Sequence, residues 1–198
     1  MATRARILAD YVSSGVTAAE FDQLDTTGTA AGSGNFLRGD KTWQGAGKVI
    51  QVVNTQTGAS ATGSTAFPTD DTIPQNTEGD EVMTRAITPT NASNILKIDV
   101  VIHGALSVAD RLMGAAIFQD STAGALAAGH QASDINGANR HIQISFSHWM
   151  TAGTTSSTTF KVRAGAQSGV TMTFNGSDTG RFFGGVSSSS ITIFEIIP

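Results

Sequence analysis

Short segments in which apolar and polar side chains alternate recur along most of the chain, and they constrain the fold more than any other feature. In residues 95–103, ILKIDVVIH, one face carries only apolar side chains, namely Leu96, Ile98, Val100 and Ile102. The opposite face carries Lys97, Asp99 and His103. Residues 158–164 repeat the pattern, with Phe160, Val162 and Ala164 opposite Lys161 and Arg163. Because successive side chains of a strand point to opposite faces, such strands have one face in a core and one in water.

Eight segments of this length are separated by turns rich in Gly, Ser, Asn and Asp, which predicts an all-β head domain over residues 48–198. The segments are 48–55, 81–88, 95–103, 111–119, 141–150, 158–164, 170–174 and 189–197. Eight antiparallel strands with long connections at 56–80 and 120–140 predict an eight-stranded, jelly-roll-like β-sandwich. Another β-sandwich and a closed barrel are the alternative folds.

The last segment, residues 189–197, differs because both of its faces are apolar. Ile191 and Ile193 lie on one face, and Thr192, Phe194 and Ile196 lie on the other. A strand of this kind is normally covered on both sides. If the strand lies at the edge of a sandwich, we expect another subunit to supply the second cover.

The first 31 residues contain one helical signal. Thr17 and Glu20 form a capping box, and Phe21 and Leu24 follow at helical spacing. A helix of about two turns is not stable alone in water, so its apolar side chains must pack on something else. The partner is either the domain that follows or the same segment of neighbouring chains. We predict that residues 1–31 form an N-terminal attachment segment with a short helix, at the start of an extended N-terminal stalk.

Residues 32–47 are rich in glycine, yet they carry the apolar side chains Phe36, Leu37 and Trp43. A purely flexible linker has no need of such anchors. We therefore interpret this segment as a joint between the stalk and the head. The Arg38-Gly39-Asp40 sequence within it is interpreted as an ordinary surface turn and not as a cell-adhesion motif.

Charge and composition exclude several classes of function. The formal net charge is -4, without the clustered Lys and Arg that nucleic-acid binding requires. No segment approaches the roughly 18 apolar residues of a membrane-spanning helix, and the N-terminus lacks the apolar core of a secretory signal. Cysteine is absent, so disulfides and thiolate chemistry are excluded. No nucleophile elbow, zinc-protease motif or phosphate-binding loop occurs, and we expect neither an enzyme nor a metal or other cofactor.

The residues best suited to bind a metal ion or a ligand also have simpler structural interpretations. The acidic cluster in DDTIPQNTEGDE, residues 70–81, could supply oxygens to a calcium ion, but a solvated acidic loop is the preferred interpretation. His148 shares a face with core-type side chains and is predicted to be a core or interface histidine, whereas His103 and His141 lie at strand ends. Trp149 lies on the polar side of its strand. It is either an interface anchor or a stacking platform for a ligand, and we prefer the anchor.

Two phrases near the N-terminus resemble sequences of bacteriophage tail fibres and related virion appendages. Residues 32–44, GSGNFLRGDKTWQ, resemble a fibre phrase in which Lys41 stands where glycine is usual. Residues 15–27, GVTAAEFDQLDTT, resemble a second fibre phrase. Residues 70–101 are similar to a β-rich module of phage structural proteins. None of these phrases is catalytic.

The resemblance implies a virion protein made in the host cytoplasm. Such proteins are usually homotrimers that attach through the N-terminus to a tail, portal or adaptor protein and present a β-rich head to a host surface glycan or protein. In a trimer, Phe36, Leu37 and Trp43 would meet their copies near the three-fold axis. Two alternatives stay open, a head or collar fibre or capsid decoration protein without receptor contact, and a glycan-degrading enzyme on a jelly-roll scaffold. The enzyme is disfavoured because no carboxylate pair lies at a suitable strand end.

Overall fold

The computed structural model describes residues 35–37, 43–45 and 49–198, and the chain divides into two units between Lys48 and Val49. In the first unit, the backbone of the predicted joint contains a small antiparallel sheet in which Leu37 is the register partner of Trp43. The predicted helix with Phe21 and Leu24 and the Arg38-Gly39-Asp40 sequence lie outside the described residues.

Fourteen strands and one short 3-10 helix make up the described chain. In order, the strands are β1 (Asn35–Leu37), β2 (Trp43–Gly45), β3 (Val49–Thr57), β4 (Ala61–Gly63), β5 (Asp80–Ile87), β6 (Ile95–Leu106), β7 (Leu112–Gln119), β8 (Ala127–Ala132), β9 (Ile142–Thr151), β10 (Thr158–Ala166), β11 (Met172–Phe174), β12 (Gly176–Ser177), β13 (Gly180–Arg181) and β14 (Ser189–Ile196). The 3-10 helix spans Phe182–Gly185.

Residues 49–198 form a jelly-roll-like β-sandwich, as the strand pattern predicts. The first sheet has the order β3-β14-β6-β11-β4, and β9 pairs with the other edge of β6. The second sheet has the order β5-β10-β7-β8. Consecutive strands mostly alternate between the two sheets, so most neighbours within a sheet are distant in sequence. All pairings within the two sheets are antiparallel.

The core lies between the sheets and is built from the apolar faces that the alternation identifies. On β6, the four predicted inward side chains are at most 1% exposed, while Lys97, Asp99 and His103 are partly exposed. On β10, Phe160, Val162 and Ala164 are fully buried. These strands contribute to one cluster that also contains residues of β5, β7, β9, β11 and β14. Removal of this apolar surface from water is the main force that holds the two sheets together.

The last strand, β14, is not at the edge of the sandwich, which corrects the premise of the sequence argument. It pairs with β3 on one side and with β6 on the other. Its two apolar faces are nevertheless real, because Ile191 and Ile193 are fully buried while Phe194 and Ile196 lie half-buried on the outer face. Both edges of β14 are therefore paired within the chain, and residues 49–198 leave the outer face of its sheet without a cover.

Each of the eight predicted segments forms a strand, but the long connections were predicted incompletely. The 120–140 connection contains β8, which pairs only with β7 and completes the second sheet. Its sequence, AAGHQA, has almost no apolar bulk and no alternation, so its pattern does not indicate a strand. Residues 127–132 form a strand because their backbone pairs with β7, although their side chains give no strand signal.

Residues 64–79, which we call the strap, cross the outer face of the second sheet. Phe67 of the strap packs on Ala116 and Phe118 of β7, and these side chains form a second buried cluster. The Phe67 amide donates to Ala166 O at 2.7 Å, and the Arg163 guanidinium donates to Gly79 O at 2.6 Å. Within residues 49–198, the chain thus covers the second sheet itself and leaves the outer face of the first sheet without a cover.

Gly114 on β7 allows this close approach of the strap, which gives a testable expectation. A Cβ at Gly114 would lie 2.5 Å from Cδ1 of Phe67, so alanine must push the ring off the sheet. We expect Gly114→Ala to lower the free energy of unfolding by about 1–3 kcal/mol in denaturant titration. Gly124→Ala is the matched control, since a Cβ there meets Ile73 at an ordinary 3.4 Å. Equal stability of the two variants would contradict the tight contact.

Candidate interaction surface

The outer face of the first sheet carries a row of large side chains across four neighbouring strands. Val52 on β3 is the register partner of Phe194 on β14, which pairs with Lys97 on β6, which in turn pairs with Trp149 on β9. Val52 is 52% exposed and Trp149 57% exposed. We call this surface the open face. Only the strand order brings these side chains together, because Val52 and Phe194 are 142 residues apart in the sequence.

A second apolar row lies beside the first, toward the start of β3. Val49 is the register partner of Ile196, and Ile196 pairs with Ile95. Val49 is 48% exposed, whereas the other two are half-buried. Singly exposed apolar side chains are normal on a protein, but a contiguous patch of this kind marks an interaction surface.

Lys97 is the only charged side chain in the first row, and its charge is locally compensated. It forms an ion pair with Asp99, which also accepts a hydrogen bond of 2.7 Å from Ser147 Oγ. Its Nζ lies 5.1 Å from the ring centroid of Phe194 and 5.9 Å from that of Trp149. These distances allow cation–π contacts with both rings. The centre of the open face is thus aromatic, aliphatic and close to neutral.

The other end of the open face contains a histidine pair that the sequence did not predict. His103 Nδ1 lies 2.9 Å from His141 Nε2, and Phe182 packs edge-on against His141 at 4.7 Å between centroids. Burial, and then the charge of His141, lower the pKa of His103 below its usual value. The two histidines are 38 residues apart, and only the pairing of β6 with β9 reveals that they meet.

Trp149 and His148 occupy the faces that their alternation predicts. Trp149 is on the open face, and His148 points inward as the register partner of Ile98. His148 is half-buried, and this burial lowers its pKa. The side chains of Phe36, Leu37 and Trp43 in β1 and β2 are outside the described part of the structure, so their role in trimer and stalk packing stays a prediction, as does that of Phe21 and Leu24.

The acidic cluster is engaged in local hydrogen bonds. Asp70 accepts from the amide of Thr72 at 3.0 Å, and Glu78 accepts from the amide of Gln75 at 2.9 Å. Within residues 49–198 and the two strands before them, no three histidine or acidic side chains are arranged to hold a metal ion. In the same residues, no helix is long and apolar enough to cross a membrane.

The comparisons with known proteins find likeness only at the level of solved structures. No protein-family model matches the chain, and no curated protein matches its sequence. The chain is similar to the Eiger TNF of S. frugiperda, at 9% identity and a TM-score of 0.41 over 73% of this chain and 92% of that one. It is similar to the C-terminal domain of EclA, a sugar-binding protein, at 12% identity and a TM-score of 0.31, over 74% of this chain and 77% of that one. It is also similar to the VP2 subviral particle of infectious bursal disease virus, at 12% identity and a TM-score of 0.34, over 80% of this chain and 41% of that one.

Proposed function

We propose that the chain is a structural subunit of a bacteriophage virion, a homotrimeric tail fibre or short spike. Its N-terminus attaches to a tail, portal or adaptor protein, and its β-sandwich head contacts the host surface. The observation that carries the proposal is the open face, a contiguous apolar surface for which residues 49–198 provide no cover. The fibre-like phrases in residues 15–44 support the virion setting and the trimer.

A second copy of the chain is the occupant that best fits the open face. The face is rich in aromatic and aliphatic side chains, as the centres of oligomer interfaces are. Its one ion pair, between Lys97 and Asp99, is internal, so the face offers no net charge to a strongly charged partner. The opposite sheet is covered by the strap, and this leaves one large apolar face on residues 49–198 of each chain.

The position of Val49 is consistent with a shared stalk. Val49 is the first residue of the head and lies on the open face, beside Ile196. Three heads that pack through this face therefore begin close to one another, as three chains entering from one stalk require. The strap side of each head then faces outward, toward solvent or a host.

The oligomeric mass tests the assembly. We expect the full chain to scatter light as a particle of three times 20.4 kDa at micromolar concentration. Trp149→Ala is expected to weaken this trimer, because buried aromatic anchors contribute about 2 kcal/mol or more at interface centres. A chain that stays monomeric at high concentration would refute the proposed trimer.

Adsorption separates a receptor-binding fibre from a purely structural virion protein. We expect the purified trimer to compete with intact phage for host cells. If the chain is found in the particle but does not compete, the head, collar or decoration role replaces receptor binding. Localisation of the N-terminus in a map of the intact particle then identifies the attachment partner.

A further inference from the structure

We infer that the cleft between the strap and β8 binds a neutral carbohydrate, an inference that rests on the proposed host contact and names its site and ligand class. The cleft has a volume of about 340 Å³ and lies on the outer face of the second sheet. That volume is at the lower end of the range for small-molecule sites, roughly 300–1,000 Å³. A single sugar ring fits a site of this size.

The cleft exists because the residues at the centre of its floor are small. Gly114 of β7 is the register partner of His130, and Ala116 is the partner of Ala128. Gly114 lets the Phe67 ring lie directly against the sheet, and the small, exposed Ala128 leaves the floor beside that ring open. The strap forms the opposite wall with Phe67, Pro68 and Pro74. Small residues in the floor give the cleft its depth, so no side chain has to move to open it.

The strap wall is held at both ends, so the cleft is preformed. The Phe67 amide donates to Ala166 O at 2.7 Å at one end. At the other end, the Ala125 amide donates to Pro74 O at 2.9 Å, and the Asn76 amide donates to Ala123 O at 2.8 Å. A preformed site loses little conformational entropy when a ligand binds.

The lining combines the two kinds of surface that a sugar presents. Polar groups come from Thr69, Asp70, Thr72 and His130, and apolar surface comes from Pro68, Pro74, Leu112 and Ala128. Asp70 Oδ1 accepts from the amide and the hydroxyl of Thr72, and residues 49–198 donate no hydrogen bond to its second oxygen. Carboxylate and imidazole groups can bind hydroxyls, while proline and leucine side chains contact the C–H face of the ring.

The charge of the lining disfavours other small ligands. Among residues 49–198, no lysine or arginine lines the cleft, and Asp70 repels phosphate and other anions. One carboxylate is too few for a calcium ion, which takes about six to eight oxygens. A neutral, hydroxyl-rich ligand remains the best match.

The cleft lies on the face of the sandwich opposite to the open face. Assembly through the open face therefore leaves it accessible, and a trimer presents three copies. Linked sites raise the avidity for a multivalent surface well above the affinity of each site. Weak binding of single sugars is thus compatible with strong attachment to a glycan coat.

Saturation-transfer NMR on the full chain tests the inference, with glucose, galactose, mannose and N-acetylglucosamine as probes. We expect transfer to at least one of these sugars, and a loss of affinity of about tenfold or more in Ala128→Trp, where the indole fills the cleft. Asp70→Asn should weaken binding less, because asparagine can still accept from the Thr72 amide. Ser121→Trp, which adds the same bulk in the exposed turn after β7, should bind as the unmodified chain does.

The result that overturns the inference is the absence of transfer to all four sugars, unchanged binding in Ala128→Trp, or equal loss in Ser121→Trp. Preferential binding of inorganic phosphate would equally overturn the neutral ligand class. The proposed function fails separately, through a monomeric mass or a missing competition for cells. A trimer that competes for cells but binds no sugar in the cleft refutes only the site.

Discussion

Replacement of Glu195 by alanine is expected to lower the free energy of unfolding by about 3–5 kcal/mol, the largest stability loss that we predict for a single side chain. Glu195 lies on β14 and is fully buried. Its Oε1 accepts from the Thr90 amide at 2.7 Å, from Thr90 Oγ1 at 2.8 Å and from Asn94 Nδ2 at 2.6 Å. Alanine would leave the buried Asn94 amide without its acceptor and would remove both hydrogen bonds to Thr90, which would free the turn before β6 from the sheet.

Glu195→Gln separates the charge from the hydrogen-bond geometry. With its amide nitrogen toward the carboxylate, Gln51 donates to Glu195 Oε2 at 3.1 Å and to Thr88 O at 3.2 Å. A glutamine at 195 can place its oxygen at the Oε1 position, and rotation of the Gln51 amide can satisfy the other end. We expect a loss of about 1–2 kcal/mol, from weaker hydrogen bonds to a neutral acceptor.

The same carboxylate makes stability depend on pH. Burial acts to raise the pKa of Glu195, but the hydrogen bonds from Asn94 and Thr90 outweigh it and hold the pKa below its usual value. A carboxyl whose pKa is lower in the folded than in the unfolded state stabilises the fold above its unfolded pKa. This contribution is lost as the pH falls through the folded pKa. The melting temperature of the unmodified chain should therefore fall more on acidification than that of Glu195→Gln.

Thermal and denaturant unfolding measure these effects, and Glu81→Gln is the control. Glu81 is a partly exposed carboxylate that lies 3.9 Å from Lys161 Nζ and 4.0 Å from Arg163, so its removal should change stability by less than about 0.5 kcal/mol. If Glu195→Ala were as stable as Glu81→Gln, the buried network would not hold the turn.

The double substitution Val52→Glu and Trp149→Glu is expected to convert the trimer to folded monomers. Both side chains are more than half exposed in the isolated head, so the charges cost the monomer little. In a trimer, six carboxylates would be buried against apolar surface, and an unpaired buried charge costs several kcal/mol. Each 1.4 kcal/mol lowers the association constant about tenfold, so dissociation should be complete at micromolar concentration.

Light scattering gives the mass, and a melt followed by circular dichroism shows that the monomer remains folded. Ile73→Glu is the control, because Ile73 is 64% exposed but lies on the strap, on the covered side of the sandwich. That variant should remain trimeric. A trimer that persists after the double substitution would place the interface elsewhere and remove the main support for the proposed assembly.

The sequence by itself determined the class of fold and the faces of its strands. The alternation in residues 95–103 and 158–164 identified the inward side chains, because β-strand geometry has a period of two and burial follows it. The same rule placed Trp149 outward and His148 inward. Pattern failed for β8, whose small side chains carry no alternation, and for the strap, whose contact of Phe67 with Gly114 depends on the absence of a side chain.

Only the tertiary structure decided which strands are neighbours, and with them the surfaces. Periodicity reports the face of a strand but not its partner, so the sequence could place β14 at an edge when it lies between β3 and β6. The row from Val52 to Trp149, the His103–His141 pair and the donors around Glu195 all join residues distant in the chain. Such contacts arise from the register of antiparallel strands, which long-range packing of the core fixes and no local pattern encodes.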